Sequence, residues 1–136
     1  MGKAIGIDYG TKRTGIAISD SLQIIASALV TVKTSEIFTF LKNLVREEDI
    51  EIFIIGSPLG LDGGPTDSTE LTNLFVKKLS KMFIKISVKR MDERFTSKIA
   101  KQTILASGIS KKKRRNKELV DKISAAIILQ NYLDHS

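Results

Sequence analysis

The sequence has no cysteine and no tryptophan, and it has only one histidine and two tyrosines. The missing thiols exclude disulfide bonds, thiolate metal sites and a cysteine nucleophile, so a metal ion would have to be held by oxygen ligands. The single histidine, His135, lies one residue from the end of the sequence, where we do not expect a catalytic residue. The scarcity of aromatic rings disfavours sequence-specific reading of single strands by base stacking, and it favours recognition of shape and backbone.

Long hydrophobic runs are missing as well. No apolar stretch approaches the roughly 20 residues that a membrane span needs, and residues 1–4 lead into a strand-like run without an apolar signal segment. We therefore expect a cytoplasmic protein with no membrane partner. A length of 136 residues suits one domain with its own core, so we expect a single domain over residues 1–136.

Positive charge is in excess. The chain has 22 Lys and Arg residues against 15 Asp and Glu residues, a net charge of +7, which favours polyanionic partners. Nucleic acid is the first candidate and an anionic membrane surface the second. The densest basic segment contains Lys111, Lys112, Lys113, Arg114, Arg115 and Lys117. Such a segment is either a solvated surface, a localisation signal or a phosphate-contacting arm, and its place shortly before Asp121 favours the arm.

Short apolar runs and turns make up the first part of the chain. Ala4–Asp8 and Thr14–Ser19, separated by the turn-forming residues Gly10–Arg13, predict a β-hairpin. The run Ile24–Val32, rich in β-branched residues, predicts a third strand. The pattern is typical of three antiparallel strands.

Helices and strands alternate in the rest of the chain. Apolar spacing predicts a helix over residues 36–48 with Thr34 or Ser35 as its N-cap, and residues 51–56 predict a strand buried on both faces at the sheet centre. A Gly- and Pro-rich loop is predicted over 57–66, followed by a helix from Asp67 whose apolar stripe is Leu71, Leu74, Phe75 and Leu79. The next predicted element is a strand with Ile84, Ile86 and Val88. Two further helices are predicted, one from Thr96 or Ser97 to Gly108 and one from Lys117 to Leu133. This order predicts an α/β fold in which a five-stranded mixed sheet has helices on both faces.

Asp8 closes the apolar first strand. A carboxylate there is expected to emerge at the C-terminal edge of the sheet, where open α/β folds bind their ligands. The alternative is that Asp8 only caps the turn into Gly10.

Asp121 shares one line of the last helix with Ser124, Ala125 and Ile128, so its side chain is expected to face protein. A carboxylate in that position needs a hydrogen-bond donor, a basic partner or a metal ion. A salt bridge to an Arg or Lys is therefore the alternative to a metal site. The small residues Ser124 and Ala125 would let the helix approach the sheet and bring Asp121 towards Asp8.

Asp92 and Glu93 follow the predicted fifth strand. Strand alternation sends Asp92 to the apolar face and Glu93 to the opposite one, but strand ends often break phase, so spacing does not separate the two acids. A surface salt bridge to Arg94 is a further alternative for either acid.

Acids that converge from distant points of the sequence repel one another unless a cation lies between them. Carboxylate oxygens suit Mg²⁺ or Mn²⁺, and two such ions can activate a water and stabilise the leaving oxygen of a phosphodiester. The sequence thus favours metal-dependent hydrolysis of nucleic acid.

Motifs along nearly the whole chain resemble those of the YqgF/RuvX family, the Holliday-junction-resolvase-like proteins that are also described as pre-16S rRNA nucleases. The motifs are Gly6–Gly15, Ser19–Asp20, Asp92–Ser97 and Asp121–Leu129. The resemblance implies an RNase H-like fold and a metal-dependent nuclease that matures the 5′ end of pre-16S rRNA or resolves branched DNA.

The resemblance also implies site residues. It makes Asp8, Glu93 and Asp121 the acidic triad that binds metal, which decides between Asp92 and Glu93. The predicted substrate-binding residues are Lys12, Arg13, Arg94, Lys111, Lys112, Lys113, Arg114 and Arg115. The segment Gly56–Gly64 departs from the family pattern, so the resemblance implies no role for that loop.

Other functions and assemblies stay open. The turn Ile7–Thr11 also resembles the first phosphate loop of actin-like ATPases and sugar kinases, but those proteins need two lobes and this chain has room for one. A nucleic-acid-binding module that does not cut is a second alternative. A resolvase must be a homodimer to cut a junction symmetrically, whereas an rRNA nuclease can be a monomer. The sequence does not decide the oligomeric state, whether the substrate is RNA or DNA, or which metal is preferred.

Overall fold

A computed structural model describes residues 2–57, 67–92 and 117–135 of the chain. In these residues the strands are β1 (Lys3–Asp8), β2 (Arg13–Ser19), β3 (Ala26–Lys33), β4 (Ile50–Ser57) and β5 (Ser87–Asp92), and the α-helices are α1 (Ile37–Glu47), α2 (Asp67–Met82) and α3 (Lys117–Asp134). A short 3₁₀ helix, Thr34–Glu36, precedes α1. The predicted helix after residue 96 and all but the first residue of the predicted loop over 57–66 lie outside the described residues.

The strands form one sheet in the order β3-β2-β1-β4-β5. The pairs β1–β2 and β2–β3 are antiparallel, while β4 runs parallel to both β1 and β5. The predicted mixed five-stranded sheet is therefore confirmed, but its central strand is β1, and β4, which was predicted to be central, lies beside it. Because β1, β4 and β5 are parallel, their C-terminal ends, at Asp8, Ser57 and Asp92, lie at the same edge of the sheet.

Side chains alternate between the two faces of the sheet along every strand, so each face has its own apolar residues to bury. Different helices cover the two faces. On one face, Ile7 and Phe53 pack with Leu41 of α1 and Phe75 of α2. The opposite face is covered by α3, whose buried residues are Ala125, Ile128, Leu129 and Leu133. None of the described helices combines the length and the apolar character required to cross a bilayer.

Two sequence predictions need correction, one in α1 and one in α2. Neither Thr34 nor Ser35 caps α1: the N-cap is Glu36, without a side-chain hydrogen bond. The Thr34 hydroxyl instead donates to the carbonyl oxygen of Gly10 at 2.6 Å, which ties the β1–β2 turn to the end of β3. In α2 the predicted stripe is shifted, since Leu71 and Leu74 are exposed whereas Phe75 and Leu79 are buried. Thr72, which was not part of the predicted stripe, is fully buried instead of these two leucines.

The predicted starts of β3 and β5 are also wrong. Ile84 and Ile86 belong to the turn before β5, which is closed by a hydrogen bond from the Ile86 amide to the Phe83 carbonyl, and Ile84 is 83% exposed. Their apparent alternation with Val88 therefore does not indicate a strand. Ile24 lies before the start of β3. Its backbone amide donates a hydrogen bond to the side chain of an acid in the preceding turn.

That acid is Asp20, which organises the β2–β3 turn. Its Oδ1 accepts hydrogen bonds from the backbone amides of Ile24 at 2.8 Å and Ile25 at 2.9 Å. These bonds, Ile25 first, favour the charged form and lower the pKa of Asp20 below its usual value of 3.8. Because the pKa is lower in the folded protein, the carboxylate stabilises the fold at pH values above its pKa in the unfolded chain. This contribution is lost as the pH falls through the pKa of the folded protein.

We therefore expect acid to release this turn only below pH 3.8. The measurement is an NMR titration of the Ile24 and Ile25 amide resonances, which should move together with a midpoint lower than that value. Asp20→Asn, which keeps an acceptor oxygen but cannot titrate, should remove the transition. A midpoint at or above 3.8 would show that the two bonds do not hold in solution.

Candidate active site

Asp8 is the last residue of β1 and lies half-buried on the sheet face that α3 covers. On the same strand, Ala4 packs in the α3-side core and Gly6 meets the backbone of α3, so alternation places Asp8 on that face. Across the hairpin, Asp8 is paired with Gly15 of β2. The predicted location of Asp8 at the C-terminal edge of the sheet agrees with this geometry.

Helix α3 lies directly on the hairpin at two glycines. A Cβ atom built on Gly15 would lie 2.0 Å from the carbonyl oxygen of Asp121, and one built on Gly6 would lie 2.7 Å from that of Ala125. The backbone of Asp121 therefore packs against the strand residue that is paired with Asp8. The close approach depends on these two strand glycines, whereas it was predicted only from small residues of the helix. A glycine inside a strand is the available signal, since it often marks a backbone that comes near.

The side chain of Asp121 forms an ion pair with Arg13, the first residue of β2. Arg13 Nε donates to Asp121 Oδ2 at 2.9 Å, and the two side chains are 34% and 24% exposed. Ser124, Ala125 and Ile128 are buried, as the stripe on α3 predicted. Of the alternatives for Asp121, the structure contains the salt bridge. Because both groups are partly exposed, this pair contributes at most about 1 kcal/mol to stability.

Further cations lie beside Arg13. Its pairing partner on the edge strand β3 is Lys33, which lies on the same face of the sheet, and Lys12 precedes it in the exposed β1–β2 turn. Within the described ranges, neither lysine has a carboxylate partner. Positive charge therefore extends from Asp121 to the edge strand, and it includes Lys33, which was not among the predicted site residues.

Several predicted site residues lie outside the described residues, namely Glu93, Arg94, Lys111, Lys112, Lys113, Arg114 and Arg115. Among the residues that are described, no group of three or more His, Asp or Glu side chains could hold a metal ion. The predicted third acid, Glu93, is not among the residues to which that finding applies.

The described part of β5 alternates regularly. Lys89 Nζ lies 5.7 Å from the centre of the Tyr132 ring on α3, and Met91 packs in the α3-side core. Val88 packs in the core on the other face. In β5, odd-numbered residues thus face α3, as Asp8 does.

Carboxylates and cations meet at this edge of the sheet. Asp8 and Asp121 offer hard oxygen ligands of the kind that Mg²⁺ and Mn²⁺ prefer, and the Asp121 carboxylate already attracts a cationic group. Arginine and lysine side chains beside them suit a phosphate backbone. Asp8 and Asp121 would therefore supply two carboxylate ligands to a divalent metal ion, and Arg13 and Lys12 would supply positive charge to a phosphodiester beside it.

Residues 2–135 match the family model described as RuvX, Holliday junction resolvase. The chain is 50% identical over 133 residues to the "Putative pre-16S rRNA nuclease" of Flavobacterium johnsoniae, covering 98% of this chain and 96% of the relative. It is 46% identical over 135 residues to the protein of the same name from Porphyromonas gingivalis, covering 99% and 98%.

The chain belongs to the RuvX family. The resemblance found in the sequence motifs is thereby confirmed. Among solved structures, this RuvX-family chain is similar to Thermus thermophilus RuvC in complex with Holliday junction substrate, with a TM-score of 0.62, 16% identity and coverage of 100% of this chain and 97% of that one. A second Thermus thermophilus RuvC structure gives a TM-score of 0.55 at 13% identity, with 97% and 96% covered. These similarities confirm the predicted RNase H-like fold.

Proposed function

We propose that this chain is a cytoplasmic, metal-dependent endonuclease with a single RNase H-like domain over residues 1–136, and that it hydrolyses pre-16S rRNA near its 5′ end. One observation carries the proposal: α3 packs on Gly15, so that Asp121 lies beside the strand that ends in Asp8. Relatives of 46–50% identity that are named for pre-16S rRNA support this choice of substrate.

Glu93 is the third acid of the proposal. Lys89 and Met91 face α3, so the alternation of β5 favours the odd-numbered residue of the pair Asp92 and Glu93. This parity comes from packing and is independent of the motif resemblance, and the two arguments agree.

The proposed roles follow from the chemistry of each group. The three carboxylates would hold Mg²⁺ or Mn²⁺, which activates a water and stabilises the leaving oxygen when bound. Arg13 and Lys12 contact the phosphates on either side of the scissile bond and fix its position over the acids. Arg94 and the basic residues 111–115 extend this contact along the backbone, which accounts for the net charge of +7.

A second substrate class is branched DNA. The family model is described as Holliday junction resolvase, and the similar RuvC structure holds a junction substrate. Cutting a junction symmetrically requires a homodimer, whereas cutting an rRNA precursor does not. A monomeric solution mass would therefore argue against the junction before any assay, whereas a dimer would be compatible with both substrates.

The test is a cleavage assay with Mg²⁺ or Mn²⁺ on an RNA that carries the 16S precursor extension and on a four-way DNA junction. We expect cleavage of the RNA that stops when EDTA removes the metal. Asp8→Asn and Glu93→Gln should be inactive, whereas the neighbouring Asp92→Asn should keep its activity.

Binding of the RNA without cleavage under any metal would support a nucleic-acid-binding module instead. Equal cleavage by wild type and Asp8→Asn would mean that a contaminant or a different site is responsible. A preference for the junction, together with a dimer in solution, would transfer the proposal to DNA.

A further inference from the structure

The Arg13–Asp121 ion pair joins two residues that have different partners in the proposed function. Asp121 is a proposed metal ligand, and Arg13 is a proposed phosphate contact. In the structure they bind each other through one hydrogen bond, from Nε to Oδ2. A metal ion on the Asp121 carboxylate would therefore compete with the guanidinium for the same group.

Charge determines the direction of the exchange. Asp121 carries one negative charge, and a divalent ion on that carboxylate would repel a guanidinium at hydrogen-bond distance. The two terminal nitrogens of Arg13 have no hydrogen-bond partner within the described ranges. They form the planar fork that fits two phosphate oxygens. Arg13 is thus able to leave Asp121 for a phosphate without losing its charge balance.

We infer that Arg13 holds the place of the metal ion at Asp121 and moves to a substrate phosphate when the ion binds. This inference rests on the proposed function. With the guanidinium in place, the charge of the Asp121 carboxylate is compensated before metal arrives. Because metal and phosphate both favour the open pair, each should increase the affinity for the other.

The geometry allows the exchange at little cost. The Arg13 and Asp121 side chains are 34% and 24% exposed, so the pair is weakly held and both groups have water available during the move. The backbone of Arg13 is fixed by its pairing with Lys33. Only the arginine side chain therefore has to move, and α3 keeps its position on the sheet.

The first test is the Mn²⁺ affinity of the full chain, measured by isothermal titration calorimetry without substrate. Arg13→Gln removes the competing cation, so we expect Mn²⁺ to bind about tenfold more tightly. Lys33→Gln is the matched control, since it removes the same charge from the neighbouring strand position without breaking a bond to Asp121. It should change the affinity far less. In an Asp121→Asn background, Arg13→Gln should have no such effect.

The second test follows the pair itself. In ¹⁵N NMR spectra of the wild type, the Arg13 Nε–Hε resonance should shift when Mg²⁺ is added, and shift further with a phosphorothioate oligonucleotide. Circular dichroism confirms that each variant is folded, and Arg13→Met, which is also uncharged, replaces the glutamine variant if that one is not.

Equal effects of Arg13→Gln and Lys33→Gln, or weaker Mn²⁺ binding by Arg13→Gln, would overturn the exchange while leaving the proposed nuclease intact. An Arg13 Nε–Hε resonance that does not shift when Mg²⁺ is added would also overturn the exchange and leave the proposed nuclease intact. Absence of Mn²⁺ binding in the wild type and in every variant would overturn both proposals together.

Discussion

Asp121→Asn is expected to lower the cleavage rate constant roughly 10³-fold, because a metal ligand contributes several kcal/mol of transition-state stabilisation. An amide keeps the size of the side chain but lacks the negative charge that holds a divalent ion. The loss should appear in kcat under saturating RNA, with Mg²⁺ or Mn²⁺ present. Higher metal concentration should recover only part of the rate.

The same variant is expected to remain folded. The position of α3 depends on buried Ser124, Ala125 and Ile128, not on the partly exposed ion pair with Arg13. The free energy of unfolding should therefore change by no more than about 1 kcal/mol. Urea unfolding measures this quantity, and a large loss would mean that the rate reports misfolding.

Asp134→Asn is the matched control on the same helix. Asp134 is exposed and accepts a hydrogen bond from Gln130 at 3.0 Å, one residue before the end of the described chain. The substitution Asp134→Asn removes the same charge from the opposite end of α3, so the cleavage rate should stay within about twofold of the wild type. A comparable loss of activity in both variants would refute the assignment of Asp121 to the site.

Hydrophobic patterns predicted most of the sheet because they depend on local chemistry. The unbroken apolar residues of β4 indicated a strand buried on both faces, and Phe53, Ile54 and Ile55 are fully buried. The same kind of reasoning failed at Ile84, where apolar residues two positions apart belong to a turn. A short alternation is not enough to define a strand, because the turn hydrogen bonds that compete with it leave no trace in hydropathy.

The direction of Asp121 was predictable, but its partner was not. The helical line shared with Ser124 and Ile128 indicated an inward-facing carboxylate that needs a cation or a donor. Arg13, its partner, is 108 positions away in the sequence, and the pair forms because β2 packs against α3 at Asp121. Lys12 and Arg13 looked equivalent in the sequence, whereas in the structure Arg13 begins β2 and Lys12 lies in the exposed turn.

Motif resemblance chose Glu93 over Asp92 when spacing did not. Glu93 lies outside the described residues, so this choice stays a prediction. Local patterns therefore predict which elements form, and tertiary contacts determine which charged groups meet.

Gly15→Ala is expected to destabilise the protein by about 3 kcal/mol and to lower its melting temperature by about 10 °C. The new methyl carbon would lie 2.0 Å from the carbonyl oxygen and 2.3 Å from the carbonyl carbon of Asp121. These are backbone atoms, so no side-chain rotation relieves the overlap and α3 has to move away from the hairpin. A displacement of 1 Å at the acid costs about 10²-fold in rate, so the folded fraction should also be nearly inactive.

Gly6→Ala is the comparison that makes this prediction specific. Its methyl carbon would lie 2.7 Å from the Ala125 carbonyl oxygen and 2.7 Å from Leu129 Cβ, a smaller overlap located further along α3. Calorimetry should therefore rank wild type above Gly6→Ala and Gly6→Ala above Gly15→Ala. The rate per folded molecule should fall much further in Gly15→Ala, since only that substitution pushes directly on Asp121. The reverse order in either measurement would mean that α3 does not rest on Gly15 in solution, and Asp121 would then lose the contact that places it beside Asp8.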